Sequence, residues 1–335
     1  MARWTTSYRL PIISTTPRNE HEYKTALPVI IGNDIWILYM TKDEDSAIDI
    51  LVFHTESGRL QKIRVAYPDN VRGIFSSVCS SGNQIYIWVE HDDGLSQSLY
   101  KLDTVTMDLE KIMEMDMNNS LHEIFVIGHL MYILDGGIGT IAPIFIIINL
   151  SERRIQKSCI LENFAKSRVR IFEKDDKCYF FEETEPATTL IPMRNIYVWN
   201  EDRPEIICEE VYRDYFDVRS ASRCIDGYVF YQLKEDDKAC IYLDNFDFST
   251  NTWARTCIEK PWIYSKSDRI FSFVKLNDCF YVITIRMETK DVEFNMRVLK
   301  MAPSLADVCL LNVVEELEDQ NIDVDRIQEQ LPVDF

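Results

Sequence analysis

The sequence lacks any uninterrupted apolar run of the roughly 18 residues that a membrane helix needs. Its longest apolar stretch, Ile141 to Leu150, contains Pro143 and Asn149 and reads as a buried strand. The opening Met-Ala-Arg-Trp-Thr-Thr has no apolar core of signal-peptide length, so the expectation is a cytoplasmic or nuclear protein with no membrane contact. Cysteine pairs are absent too. Nine cysteines, an odd number without a Cys-x-x-Cys, supply neither a disulfide framework nor a zinc site and are read as reduced thiols. Basic residues are scarce: 36 against 55 acidic ones leave a net charge of −19, which repels nucleic-acid phosphates and anionic lipid. The histidines (His21, His54, His91, His122 and His129) show no metal-ligand spacing. Neither a Gly-rich phosphate loop nor a Gly-x-Ser-x-Gly elbow occurs. The reading is therefore a non-catalytic chain with no cofactor and no metal.

What is present is a core and a repeat. Hydrophobic residues make up 46% and aromatics 12% of 335 residues, enough to bury a large interior. A short apolar strand headed by a polar turn recurs, anchored on Trp36, Tyr86, Tyr132, Tyr179, Phe230 and Tyr281, at spacings of 50, 46, 47, 51 and 51 residues. Alternating runs and turn signals follow each anchor, as from Ile50 to Ile63, and one apolar segment precedes it. Four strands per unit and six units predict an all-β fold, a six-bladed β-propeller over residues 1–302. An irregular β-sandwich would leave the regular spacing unexplained. Residues 2–12, with Arg3-Trp4-Thr5, are predicted to pair with 293–300 and complete the last blade, whose own run shows only three strands.

At these residues the chain resembles the kelch repeat family. The resemblance rests on the Asn-x-Ile-Tyr second strand, the Gly136-Gly137 pair, and the segment from Tyr242 to Trp253 as third strand, turn and fourth-strand tryptophan. One unit of six keeps the double glycine, and Trp253 and Trp4 alone occupy the fourth-strand tryptophan position.

Composition changes after Met301. In the stretch 303–335, Leu305, Cys309, Val313 and Leu317 fall four residues apart, which predicts a short helix with one apolar face begun by Ser304 and Asp307. Ser-Leu-x-x-x-Cys-x-x-x-Val is similar to the BC box, a helix that inserts into Elongin C. A kelch ring followed by such a helix resembles the kelch-type substrate receptors of cullin-two RING ubiquitin ligases. That resemblance implies Elongin B and Elongin C bound through Leu305, Cys309, Leu310 and Val313, a cullin of the cullin-two type, and substrate proteins held by their C-termini, as C-degrons, on the propeller. Ile322, Val324, Ile327 and Leu331 stand where a cullin box would be, but the proline expected after its first apolar residue is missing.

Inner strands of a propeller begin where the channel opens, and basic residues collect at those positions: Arg72, Lys166, Arg168, Arg170, Arg219, Arg223, Lys266 and Arg269. In so acidic a chain they could form a positive mouth that holds a carboxylate by bidentate hydrogen bonds. The alternative is that they pair with acidic neighbours such as Asp217 or Asp268. Acidic runs such as Asp43-Glu44-Asp45 and Glu182-Glu183-Thr184-Glu185 read as solvated loops. Three functions stay open: a ligase adaptor, a kelch interaction scaffold on cytoskeleton or chromatin, and a propeller enzyme, the last opposed by the absence of a ligand set.

Overall fold

In the computed structural model the described residues are 3–15, 26–39, 47–68, 73–91, 96–116, 122–135, 142–164, 167–184, 193–211, 218–235, 238–258, 268–287 and 291–301. They form 24 strands in six four-stranded antiparallel sheets, a six-bladed β-propeller. Blade 1 holds β2 (Ala26–Ile31), β3 (Asp34–Tyr39), β4 (Ala47–His54) and β5 (Arg59–Ala66), and blade 2 holds β6 (Gly73–Ser81), β7 (Gln84–His91), β8 (Ser96–Asp103) and β9 (Leu109–Asp116). Blade 3 holds β10 (His122–Ile127), β11 (Leu130–Asp135), β12 (Ile144–Asn149) and β13 (Arg154–Ile160). Blade 4 holds β14 (Ser167–Lys174), β15 (Lys177–Thr184), β16 (Met193–Asn200) and β17 (Arg203–Val211), preceded by a 3-10 turn over Glu162–Phe164. Blade 5 holds β18 (Val218–Ile225), β19 (Tyr228–Glu235), β20 (Lys238–Asp247) and β21 (Thr252–Ile258). Blade 6 holds β22 (Asp268–Leu276), β23 (Cys279–Met287) and β24 (Asp291–Lys300), and its outermost strand is β1 (Arg3–Thr15).

The repeat has a packing cause. Each anchor is the third residue of its blade's second strand, and each packs toward the following blade. Trp36 lies between blades 1 and 2, Tyr86 between 2 and 3, Tyr132 between 3 and 4, and Tyr179 between 4 and 5. Phe230 lies between blades 5 and 6, and Tyr281 between 6 and 1. Because strand side chains alternate, the neighbours of Trp36, Ile35 and Ile37, face back toward blade 6. The second strand of each blade thus serves two interfaces, and six apolar clusters replace a single core. The inner strands close the ring: β2 touches β6 and β22, and β10, β14 and β18 complete the circle between them. β1 pairs antiparallel with β24 from Arg3↔Lys300 to Thr15↔Asp291, so one blade is built from both ends of the described chain. The expected helix and its Leu305, Cys309, Leu310 and Val313 lie outside the described residues.

One reading is corrected. Glu182 and Glu183 belong to β15 rather than to a solvated loop, and Glu182 is 5% exposed. Its Oε2 accepts hydrogen bonds from the Tyr197 hydroxyl at 2.7 Å and the Asn195 side-chain amide at 2.9 Å, which makes burial of the carboxylate tolerable. Burial, with the hydrogen bond to Glu182, pushes the Tyr197 phenol up from its ordinary value. Asp43-Glu44-Asp45 lies outside the described residues.

Candidate functional site

A cavity of about 290 Å³, the central channel of the ring, lies between the six inner strands, lined among others by Val29, Val78, Ile124, Ile171, Cys224 and Val274. Its wall is mainly apolar, and the charged groups that reach it come from blades 3 to 6.

Glu123 is the second residue of β10. Ile124 packs between blades 2 and 3, whereas Phe125 packs between blades 3 and 4, so Glu123, two residues from Phe125 along a pleated strand, faces blade 4. There its Oε2 accepts the backbone N–H of Ile171 at 2.7 Å. Its Oε1 stands 3.7 Å from Nη1 of Arg170, whose side chain is 7% exposed. A backbone N–H and a guanidinium therefore converge on one carboxylate in the channel wall. Cys224 of β18 lies within electrostatic reach of the same charges. Burial pushes its thiol well up, Glu123 and Glu183 add to the rise, and Arg170 and the Gly227 backbone oppose it.

At the opposite end, the β18–β19 turn sets Asp226 between two lysines. Lys174 of β14 donates to Oδ1 at 2.6 Å and Lys275 of β22 to Oδ2 at 3.0 Å, so one carboxylate joins blades 4, 5 and 6. Both turn residues have positive φ, 51° at Asp226 and 80° at Gly227. A Cβ at Gly227 would stand 2.9 Å from the Phe248 ring, so glycine is required there on two counts. Lys174 sits 5.2 Å from the centroid of Phe248 and Lys275 4.6 Å from that of Tyr228, which adds cation–π attraction. Burial alone would raise the Asp226 carboxyl, but the two lysines outweigh it and hold the group below its ordinary value.

Farther out, blades 4 and 5 share a charged network. Asp244 of β20 is fully buried and accepts from Arg194 at 2.5 Å and from Arg255 at 2.8 and 2.9 Å. Arg194 also donates to Glu210 at 2.7 Å and stacks 4.4 Å from the centroid of Trp253.

The arginines proposed for a positive mouth separate as follows. Arg168 is exposed at the start of β14, opposite Glu183 on β15. Arg170 is buried, and it pairs with Glu123 of the lining. Arg219 and Arg223 lie on β18, beside β14, and Arg269 lies on β22, but their side chains, like the whole of Arg72, Lys166 and Lys266, are outside the described residues. Glu123, Asp226, Lys174 and Lys275 were not singled out in the sequence. The signal available for Asp226 was its Asp-Gly turn; for Glu123 it was the alternation that sets Ile124 and Phe125 on opposite sides. Among the described residues no group of three His, Cys, Asp or Glu side chains could hold a metal ion. No helix among them is long and apolar enough to cross a membrane.

No protein-family model and no curated protein matches the sequence. Solved structures match in outline. The β-propeller domain of the Trilobed protease from Pyrococcus furiosus is 13% identical, with a TM-score of 0.48, over 82% of this chain and 92% of that one. The WD40 domain of Toxoplasma gondii coronin is 6% identical, with a TM-score of 0.44, over 90% and 87%. The acylaminoacyl peptidase of Pyrococcus horikoshii is 10% identical, with a TM-score of 0.43, over 84% of this chain and 46% of that one. These likenesses carry no function across.

Proposed function

We propose that this propeller is a protein-interaction module without catalysis of its own, and that it recognises the free C-terminal carboxylate of a partner protein. The observation that carries this is Arg170: a nearly buried guanidinium that pairs with Glu123 of the cavity lining, beside the N–H of Ile171, a lining residue of the same strand, so that both donors already engage a carboxylate. Such a donor pair suits a planar anion. Arg168 stands at the start of the same strand, and Arg219 and Arg223 belong to the neighbouring one, so they are the residues to test beside it. Arg72 and Arg269 come from more distant blades.

The finer reading, drawn from the resemblance to kelch-type ligase receptors, is a cytoplasmic or nuclear substrate receptor. It would bind Elongin B and Elongin C through Leu305, Cys309, Leu310 and Val313, join a cullin of the cullin-two type, and use no cofactor. An interaction scaffold without a ligase partner is the second reading, and the propeller alone serves either.

One set of experiments tests both levels. The full chain is co-expressed with Elongin B and Elongin C, and a Leu305→Ala/Cys309→Ala double variant should lose the complex; burying a leucine contributes roughly 1.5–3 kcal/mol. Undiminished capture by the double variant refutes the Elongin assignment and leaves the scaffold. For the ligand, a peptide ending in glycine is compared with its C-terminal amide. Equal binding of the two forms sinks the carboxylate reading.

A further inference from the structure

Arg170 and the Ile171 N–H are not waiting for a ligand, because a carboxylate of the protein already sits on them. We propose that Glu123 is an internal stand-in for the ligand's carboxylate, so that a partner's C-terminus binds by displacing Glu123 from Arg170 and Ile171. This rests on the carboxylate reading above and deepens it, by naming the donors and the group that competes for them.

Three observations support it. The two oxygens of Glu123 divide between a backbone N–H at 2.7 Å and a guanidinium at 3.7 Å. The first is a full hydrogen bond, whereas the second is an ion pair too long to be one, so the contact with Arg170 is the looser of the two that Glu123 makes. Glu123 is 22% exposed where its partner is 7% exposed, so the carboxylate is the component that can withdraw while the cation stays fixed in the wall. The space is also suitable: about 290 Å³ lies at the small end of ligand cavities, room for the last one or two small residues of an extended chain. The apolar wall at Val78, Ile124 and Val274 would exclude water from an incoming carboxylate and favour a terminus with small or apolar side chains.

The competition has a direction. While Glu123 holds Arg170, an external carboxylate meets a site of reduced net positive charge and must separate an existing pair. Neutralising Glu123 removes both obstacles but leaves Arg170 in place.

The experiment uses the full chain and a fluorescent ten-residue peptide ending in glycine, as free acid and as amide, with the wild type and Glu123→Gln. The expected result is acid binding about tenfold or more tighter to Glu123→Gln than to wild type, in the range of close charge-pair couplings, with amide binding weak and unchanged. A wild type that prefers the acid while Glu123→Gln shows no gain overturns the displacement proposal alone. No preference for the acid in either protein overturns the carboxylate reading as well. Acid preference that emerges only in Glu123→Gln supports both. Melting curves of each variant report folding. Glu123→Ala, which deletes the side chain instead of neutralising it, repeats the comparison if glutamine is not tolerated. Loss of the fold in both variants would assign Glu123 a structural role and overturn the proposal.

Discussion

At the scale of single residues, the charges that matter are those removed from water, and the environment of each decides its effect. Asp244 is the extreme case. With no exposure it would be intolerable alone, yet Arg194 and Arg255 supply its hydrogen bonds, and Trp253 and Tyr242 cover the flat faces of the two guanidiniums. Removing Asp244 takes from both guanidiniums the carboxylate they share, although Arg194 keeps Glu210. Asp244→Ala should therefore destabilise the propeller by about 3–5 kcal/mol in urea denaturation. Asp244→Asn, which keeps an acceptor oxygen, should do less damage. A loss below about 1 kcal/mol for the alanine variant would show that blades 4 and 5 are held by their apolar cluster alone. The same logic separates Arg170 from Arg168. Both are arginines of β14 two positions apart, but one is enclosed among Glu123 and Cys224 and the other is exposed.

Among elements, the short turns do more than connect. The β18–β19 turn carries Asp226 across to the ends of β14 and β22, so three blades meet at one carboxylate. Because the folded Asp226 is held below its ordinary value, its contribution to stability is present above the unfolded value of about 3.9 and is lost as the pH falls through the lower, folded one. Lys174, raised by Asp226 despite its burial, keeps its charge on the alkaline side, so neutral pH lies on the plateau. The stability gap between wild type and Asp226→Asn should be constant from pH 7 down to about 5 and then close as the pH drops through the carboxylate range. A gap that persists unchanged in acid would mean that the turn acts through its backbone and not through charge. Such elements explain what was legible in the sequence. The blades were legible because Trp36, Tyr86 and the other anchors must each reach the next interface, which imposes a period that loops of different length do not hide. The wall chemistry was not, because whether Glu123 faces blade 2 or blade 4 depends on a single step of strand register. Glu182 likewise looked like a loop acid until β15 was seen to run through it to Thr184. The pairing of Arg170 with Glu123 was not legible either, because the spacing of Arg170 from Tyr179 says how far along the blade it lies and nothing about which carboxylates arrive from other blades.

For the whole molecule the decisive feature is that the ring closes through its first strand. Without β1, the ten residues of β24 would present an unpaired edge, and the outer layer of blade 6 would be missing. Leu10, 2% exposed in the cluster between blades 6 and 1, would also be lost; one such side chain contributes roughly 1.5–3 kcal/mol. Irregularities in the pairing between Trp4 and Thr6 and between Arg9 and Ile13 fix the register at two points, so a slipped strand would not restore the same burial. Deleting residues 1–15 should therefore lower the melting temperature by at least about 5 °C and promote association through β24 at high concentration. A synthetic peptide of residues 1–15, added in trans, should recover part of the loss, because the acceptor edge is otherwise complete. The effect should also reach the channel. Val274 of β22 lines it and shares the cluster between blades 6 and 1 with Leu10, so loosening that interface should weaken acid-peptide binding even though Arg170 and Glu123 lie on blades 4 and 3. An unchanged melting temperature after deletion would show that β22, β23 and β24 suffice for closure, and unchanged peptide affinity in a destabilised ring would confine recognition to the blades that carry the charges.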